Sequence, residues 1–151
     1  MFFSYTNNTR KIANILHEKV GGDIAEIATV KPYLGDYNFV VDQGQRENAK
    51  GFKPEIKPMP PLDKYDIIYV CSPIWWYTIA PAVHTFLEDN DLTCNIIAPL
   101  MTNGGYGLGH SVSDIKKYSP GAKVLDALEL SFEEDQIQTS LEEIDKWLNK
   151  M

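Results

Sequence analysis

The stretch Ile67-Ile68-Tyr69-Val70-Cys71-Ser72-Pro73-Ile74-Trp75-Trp76-Tyr77 decides the fold. Its first five residues are a continuous apolar run, which reads as a strand buried on both faces of a parallel sheet. Three aromatic residues then follow Ile74. Three consecutive rings cannot all point inward, so at least one is expected to face a crevice or a partner. Beyond them, Pro81 suits the first turn of a helix carrying Val83, Phe86 and Leu87. Strand, aromatic loop and helix make one α/β unit.

The same alternation runs outward in both directions. Upstream, Phe2-Phe3 is a strand remnant. Ile12, Ile15, Leu16 and Val20 fall at helical spacing, and Gly21-Gly22 ends that helix. Asp23 to Val30 alternates like an edge strand, 36–50 is a weak helix holding Gly44, and 52–61 is a proline-rich loop. Downstream, Ile96 to Met101 is the next strand despite Pro99. A helix is expected over 111–118, a last strand over 124–130, and a final helix whose N-terminus carries Glu133-Glu134-Asp135. Ile137, Leu141, Ile144 and Leu148 form its buried stripe. Five strands alternating with helices predict a three-layer αβα sandwich around a parallel sheet, in one domain over 1–151, with a crevice at the strands' carboxyl ends.

Three loops would line that crevice. The first, Ser4-Tyr5-Thr6-Asn7-Asn8-Thr9, has five polar uncharged residues in a six-residue window and turns directly into a helix. A helix start offers unpaired N–H groups and partial positive charge, so a phosphate can rest there without a lysine. The hydroxyls of Ser4, Thr6 and Thr9 and the amides of Asn7 and Asn8 add donors; an ordinary solvated cap is the competing reading. The second, Pro73-Ile74-Trp75-Trp76, offers flat apolar surface on which a planar heteroaromatic ring can stack. The third, Thr102-Asn103-Gly104-Gly105-Tyr106-Gly107, is glycine-rich, and its backbone can approach a ligand closely. A phosphate cradle, a flat wall and a close backbone loop are what a flavin mononucleotide, FMN, requires. The Walker pattern is absent, and GxGxxG does not occur in register.

The net charge of −7 argues against nucleic acid and fits docking on a basic partner. Acidic residues gather at Glu88, Asp89 and Asp91 and again at 133–135. No apolar run approaches membrane-spanning length, the opening residues carry no signal-peptide pattern, and Cys71 and Cys94 read as reduced thiols. A cytoplasmic location is the expectation. His17, His84 and His110 have no metal-ligand spacing, and no nucleophile–base arrangement is evident. Any chemistry is therefore expected to come from a cofactor.

Ser4-x-Thr6-x-Asn8-Thr9, Pro73-Ile74-Trp75-Trp76 and Thr102-x-Gly104-Gly105-x-Gly107, in that order, resemble the flavodoxin-like family, and Gly109-His110-Ser111-Val112 and Pro120-Gly121-Ala122 extend the likeness. The chain is similar to the short-chain members. The resemblance implies strand order 2-1-3-4-5 and non-covalent FMN. Ser4, Thr6, Asn7, Asn8 and Thr9 would hold the phosphate, Ile74, Trp75 and Trp76 would flank the isoalloxazine, and 102–107 would contact its pyrimidine side. Three departures stand out: Asn7 and Tyr77 each replace a family glycine, and the first strand is nearly missing. For the last of these, either the true start lies upstream or the sheet has an unusually short middle strand, with weakened FMN affinity and stability as the expected consequence. Electron transfer with redox partner proteins, a basic reductase or acceptor, is the leading function, the protein acting as a monomer or weak dimer. An FMN-dependent NAD(P)H:quinone-type oxidoreductase and a cofactor-free domain of the same fold are the alternatives.

Overall fold

The run 67–71 opens β1 (Ile67–Trp75) in the computed structural model, which describes residues 1–151. Along the chain follow β2 (Thr78–Ile79), α3 (Pro81–Asp89), β3 (Ile96–Asn103), α4 (Ser111–Tyr118), β4 (Lys123–Val124), β5 (Leu128–Glu133), β6 (Gln136–Ile137) and α5 (Glu142–Asn149). Before β1 stand α1 (Asn8–Val20) and α2 (Tyr37–Lys50). β1 pairs in parallel with β3 from Ile67 opposite Ile96 to Pro73 opposite Thr102. β3 pairs in parallel with β4 and β5. On the other side of β1, Phe2 bridges both Cys71 and Glu26 in parallel.

Read from its edge, the parallel part of the sheet runs through 24–29, Phe2, β1, β3 and then β4 with β5, the order 2-1-3-4-5 expected. β2 on β1 and β6 on β5 add antiparallel pairings to a sheet that was expected to be parallel. Met1 to Phe3 occupy the position of the first strand. Phe2 N–H donates to Ala25 O (3.1 Å) and Ile27 N–H to Phe2 O, while Phe3 N–H donates to Cys71 O (3.1 Å) and Cys71 N–H to Met1 O (2.9 Å).

Two expectations need correction. The last strand is not continuous, because the β3–β4 and β3–β5 ladders stop short of each other around 125–127. β3 backbone groups alternate sides with period two. Ile97 O accepts from Leu125 N–H, so Pro99, in the same phase, faces the break. Proline has no N–H to carry the ladder across. The segment 133–135 is also not a helix start. Glu134, at φ 54°, turns β5 back into β6, with Phe132 opposite Ile137. The acidic first turn of α5 belongs instead to Glu142, Glu143 and Asp145.

Helices cover both faces. On one, Ile12, Ala13 and Leu16 of α1 and Ile144 and Trp147 of α5 pack against Leu100 and Leu130. On the other, Val83, Phe86 and Leu87 of α3 and Ile115 of α4 pack against Val70, Ile97 and Met101. Each such fully buried side chain contributes about 1.5–3 kcal/mol. α2 lies beside the end of β1, and its Gly44 has a structural reason: a Cβ there would come within 3.0 Å of Cε3 of Trp75.

Candidate functional site

The loops after Phe3, β1, β3 and β5 all emerge at the carboxyl ends of the parallel strands. In the first, Asn7 adopts a left-handed conformation (φ 73°, ψ −3°), tolerable for asparagine, and its side chain makes no cap on α1. The first-turn amides of Asn8 and Thr9 have no intrahelical acceptor. Ser4 Oγ accepts only the next one, Arg10 N–H, at 3.2 Å. Thr6 and Asn7 are exposed. Asn8 donates its side-chain N–H to Glu134 O at 2.8 Å, which leaves its Oδ1 buried without a partner. Thr9 is 2 % exposed, and its Oγ1 lies 2.8 Å from Thr102 Oγ1. That hydroxyl pair joins the first loop to the third.

The second loop is a two-residue hairpin turn. Trp76 (φ 53°) and Tyr77 (φ 68°) sit between Trp75 and Thr78, which face each other across β1 and β2. Positive φ at both central positions is usual for tight hairpins but suits glycine or asparagine, so two aromatic residues there store strain. Tyr77, which stands where the family has glycine, thus takes the positive φ that glycine adopts freely. Its carbonyl accepts His110 N–H at 2.7 Å. Thr78 Oγ1 donates to Asp114 Oδ2, which also lies 2.7 Å from His110 Nδ1. These contacts bind the turn to the start of α4.

The two tryptophans part company. Trp75 packs edge-on against Phe3, Tyr5 and Tyr33 at centroid distances of 5.5, 6.3 and 5.2 Å. Its carbonyl accepts from Asn48 of α2 at 2.7 Å. Trp76 is 39 % exposed, with its indole N–H on Val41 O at 2.8 Å. Ile74 is half-buried against the α3-side core, and Pro73 is half-buried. The aromatic surface open to a ligand is therefore Trp76, Tyr77 and the 82 %-exposed Tyr106.

In the third loop, Asn103 acts as an internal brace. Its Nδ2 donates to Gly107 O and Glu129 Oε1, each at 3.0 Å, and its Oδ1 accepts from Gly105 N–H at 2.7 Å. Gly105 and Gly107 have positive φ, while Gly104 and Gly105 are exposed, with Gly105 N–H taken up by Asn103. Thr102 is buried against Thr9.

Beneath the aromatic turn, Glu47 of α2 is 8 % exposed and accepts from Tyr33 Oη at 3.0 Å, while its Oε2 has no partner. Burial raises its carboxyl above the usual range, against the lowering effect of the Tyr33 hydrogen bond. Burial, with the carboxylate beside it, also raises the Tyr33 hydroxyl. No group of three or more His, Cys, Asp or Glu side chains is arranged to hold a metal. No helix is long and apolar enough to cross a membrane.

Sequence reasoning did not find Glu134, His110 or Asp114 as neighbours of the site. The spacing of His110 and Asp114, one helical turn apart, was the available signal for that pair.

A family model described as flavodoxin matches residues 1–151. The chain belongs to the flavodoxin family. Solved structures agree on the fold. A protein assigned as a flavoprotein from Bacteroides eggerthii is 29 % identical, with a TM-score of 0.84 over 99 % of this flavodoxin and 93 % of that chain. A Lactobacillus acidophilus flavoprotein in complex with FMN is 21 % identical, with a TM-score of 0.74 over 97 % and 95 % of the two chains. A Fusobacterium nucleatum flavodoxin bound to FMN is 13 % identical, with a TM-score of 0.56 over 99 % and 92 %. No curated protein matches this flavodoxin.

Proposed function

We propose that this flavodoxin binds FMN non-covalently and carries electrons between partner proteins. One observation carries the reading: the Thr9–Thr102 hydroxyl pair holds an uncapped helix start beside a glycine loop, at the strand ends where an aromatic turn also emerges. The residues present fit the group. The free first-turn amides of Asn8 and Thr9, with the Thr6 hydroxyl, suit a phosphate. The buried, unpartnered Asn8 Oδ1 suits a ligand hydroxyl. Trp76, Tyr77 and Tyr106 offer planar surface, and the exposed Gly104 backbone offers hydrogen-bonding groups to a polar ring edge.

Bound FMN would supply one- and two-electron redox chemistry. The protein's part is to orient the ring on the aromatic turn, keep water from its buried face and leave an edge open for docking. The net charge of −7 favours a basic partner, with association that weakens as salt rises. The strained turn supports reduced FMN affinity relative to a glycine-bearing site.

The test is a titration of FMN fluorescence with purified protein, together with the visible spectrum of the mixture. Quenching and a perturbed flavin band are expected, and reduction of a basic acceptor protein by the loaded form should slow with salt. A colourless protein that leaves FMN fluorescence untouched would instead favour a cofactor-free domain. Steady NADPH consumption by the loaded protein alone would favour an oxidoreductase.

A further inference from the structure

Asn103 and Gly104, where β3 gives way to the glycine loop, form the only Asn–Gly pair in residues 1–151. The other eight asparagines all precede a residue that carries a side chain. Glycine after asparagine leaves the next amide nitrogen unshielded, because no Cβ stands beside it. That nitrogen is also unoccupied here: Gly104 is exposed, and its N–H has no acceptor in the fold. The backbone does not require glycine at this position. Unlike Gly105 (φ 102°) and Gly107 (φ 83°), Gly104 lies outside the positive-φ region. A Cβ on it would come no closer than 3.5 Å to its nearest neighbour, Cε2 of Tyr106. An open amide nitrogen therefore sits next to an asparagine carboxamide, in a place that would accept a side chain.

What restrains the pair is the brace made by the Asn103 side chain. Nδ2 donates to Gly107 O and Glu129 Oε1 at 3.0 Å each, and Oδ1 accepts Gly105 N–H at 2.7 Å. These three contacts fix the plane of the carboxamide, so its Cγ cannot turn toward Gly104 N while they hold. Two of the partners belong to the glycine loop itself, whose tip at 104–106 is exposed, and Glu129 is an exposed residue of β5. Segments with few buried contacts open locally at low free-energy cost. The brace is also specific for an amide, because both Nδ2 contacts need a donor. An aspartate at 103 would have no N–H for Gly107 O and would set a second carboxylate against Glu129. Opening frees the reactive pair, and reaction then prevents reclosure.

We propose that Asn103–Gly104 is a self-modification site, at which opening of the glycine loop lets Asn103 deamidate. The Gly104 amide nitrogen gives its proton to hydroxide and attacks Asn103 Cγ. A C–N bond forms, the Cγ–Nδ2 bond breaks, and Nδ2 takes a proton from water and leaves as ammonia. Water then opens the resulting five-membered imide at one of its two carbonyls. One opening leaves aspartate at 103; the other leaves isoaspartate, with the main chain routed through the former side chain. One water is consumed, one ammonia is released, and no electrons are transferred. Either product adds a negative charge beside Glu129 and removes both donors of the brace. The loop thereby keeps an irreversible record of how often it has opened. The inference is independent of FMN.

The test incubates the flavin-free full chain at mildly alkaline pH and follows position 103 by peptide mass spectrometry with isoaspartate detection. Conversion is expected in the folded wild type, and at least about tenfold faster in urea, where the brace is absent. Glu129→Ala removes one brace contact and should speed the folded-state reaction about tenfold. Gly104→Ala should slow conversion at least about tenfold, folded or in urea, with little change in the unfolding midpoint. Asn103→Asp reproduces one product and should lower the midpoint. Adding Glu129→Gln should restore part of that loss, because the new amide can donate to the carboxylate. No conversion in the folded wild type or in Glu129→Ala, over a time in which the urea sample converts fully, overturns the proposal. Equal rates in wild type and Glu129→Ala, or in folded and urea-unfolded protein, overturn the brace as its gate.

Discussion

Gly109 lies directly under the carbonyl of Tyr77: a Cβ at position 109 would stand 2.0 Å from that oxygen. With φ at 55°, Gly109 also adopts a backbone conformation that disfavours side chains. The closeness lets His110 N–H reach Tyr77 O at 2.7 Å and anchor the aromatic turn to α4. Replacing Gly109 with alanine must move one of the two loops. G109A is expected to lose about 2–4 kcal/mol of stability and to weaken FMN binding at least about tenfold. Urea denaturation and flavin fluorescence titration measure the two effects.

Tyr77 holds φ 68° in the turn. A left-handed conformation costs a residue with a side chain roughly 1–2 kcal/mol, and glycine avoids that cost. Tyr77→Gly is therefore expected to stabilise the fold by up to about 1 kcal/mol, part of the gain being offset by greater freedom in the unfolded chain. If the ring of Tyr77 contributes stacking surface, FMN affinity falls despite the gain. Measuring both quantities on one variant separates strain from contact.

The Thr9–Thr102 hydroxyl pair, 2.8 Å apart and buried, is the join between the polar first loop and the glycine loop. Thr102→Val keeps the shape but orphans the Thr9 hydroxyl, which costs about 1–3 kcal/mol. Riboflavin binding should change less than FMN binding, because the displaced element is the one proposed to hold the phosphate. An equal loss for both ligands would place Thr102 under the ring and not beside the phosphate.

Glu47 carries the pH dependence expected beneath the aromatic turn. Its folded carboxyl titrates above its ordinary value of 4.5, chiefly through burial. Between 4.5 and the raised value, the folded state keeps a proton that the unfolded state has released. Stability is thus greatest below that window and falls as pH rises through it. Glu47→Gln retains an acceptor for Tyr33 Oη and removes the buried charge, so it should flatten this slope and raise the midpoint at pH 7. Thermal melts of both proteins from pH 4 to pH 8 read the outcome; a wild-type midpoint that rises across the window would contradict the assignment.

Much of this architecture could be read locally. The apolar run at 67–71 announced a buried parallel strand, and Pro81 announced the start of α3. The helix expected over 111–118 is α4. These signals work because helix ends and doubly buried strands impose their demands within a few neighbouring residues. The polar loop after Phe3 likewise marked the uncapped start of α1.

Other features depend on partners distant in sequence. Pro99 looked like a doubtful strand residue, yet its consequence appears across the sheet, where the strand opposite it breaks. Trp75 and Trp76 are adjacent and chemically alike. Only Gly44, Phe3 and Tyr33 converging on the first of them decide that it packs inward while the second stays at the surface. The acidic run at 133–135 resembled a helix start because charge alone cannot distinguish it from a hairpin turn closed by Phe132 opposite Ile137.

The sequence by itself determined the order of strands and helices, the polar helix start and the glycine loop, because periodicity, capping and chain flexibility are properties of short segments. The tertiary structure decided which ring faces outward and that Tyr77 is bound to α4. Those outcomes depend on backbone hydrogen bonds and packing between segments far apart in the chain, and a local pattern does not encode which of its groups will find a partner.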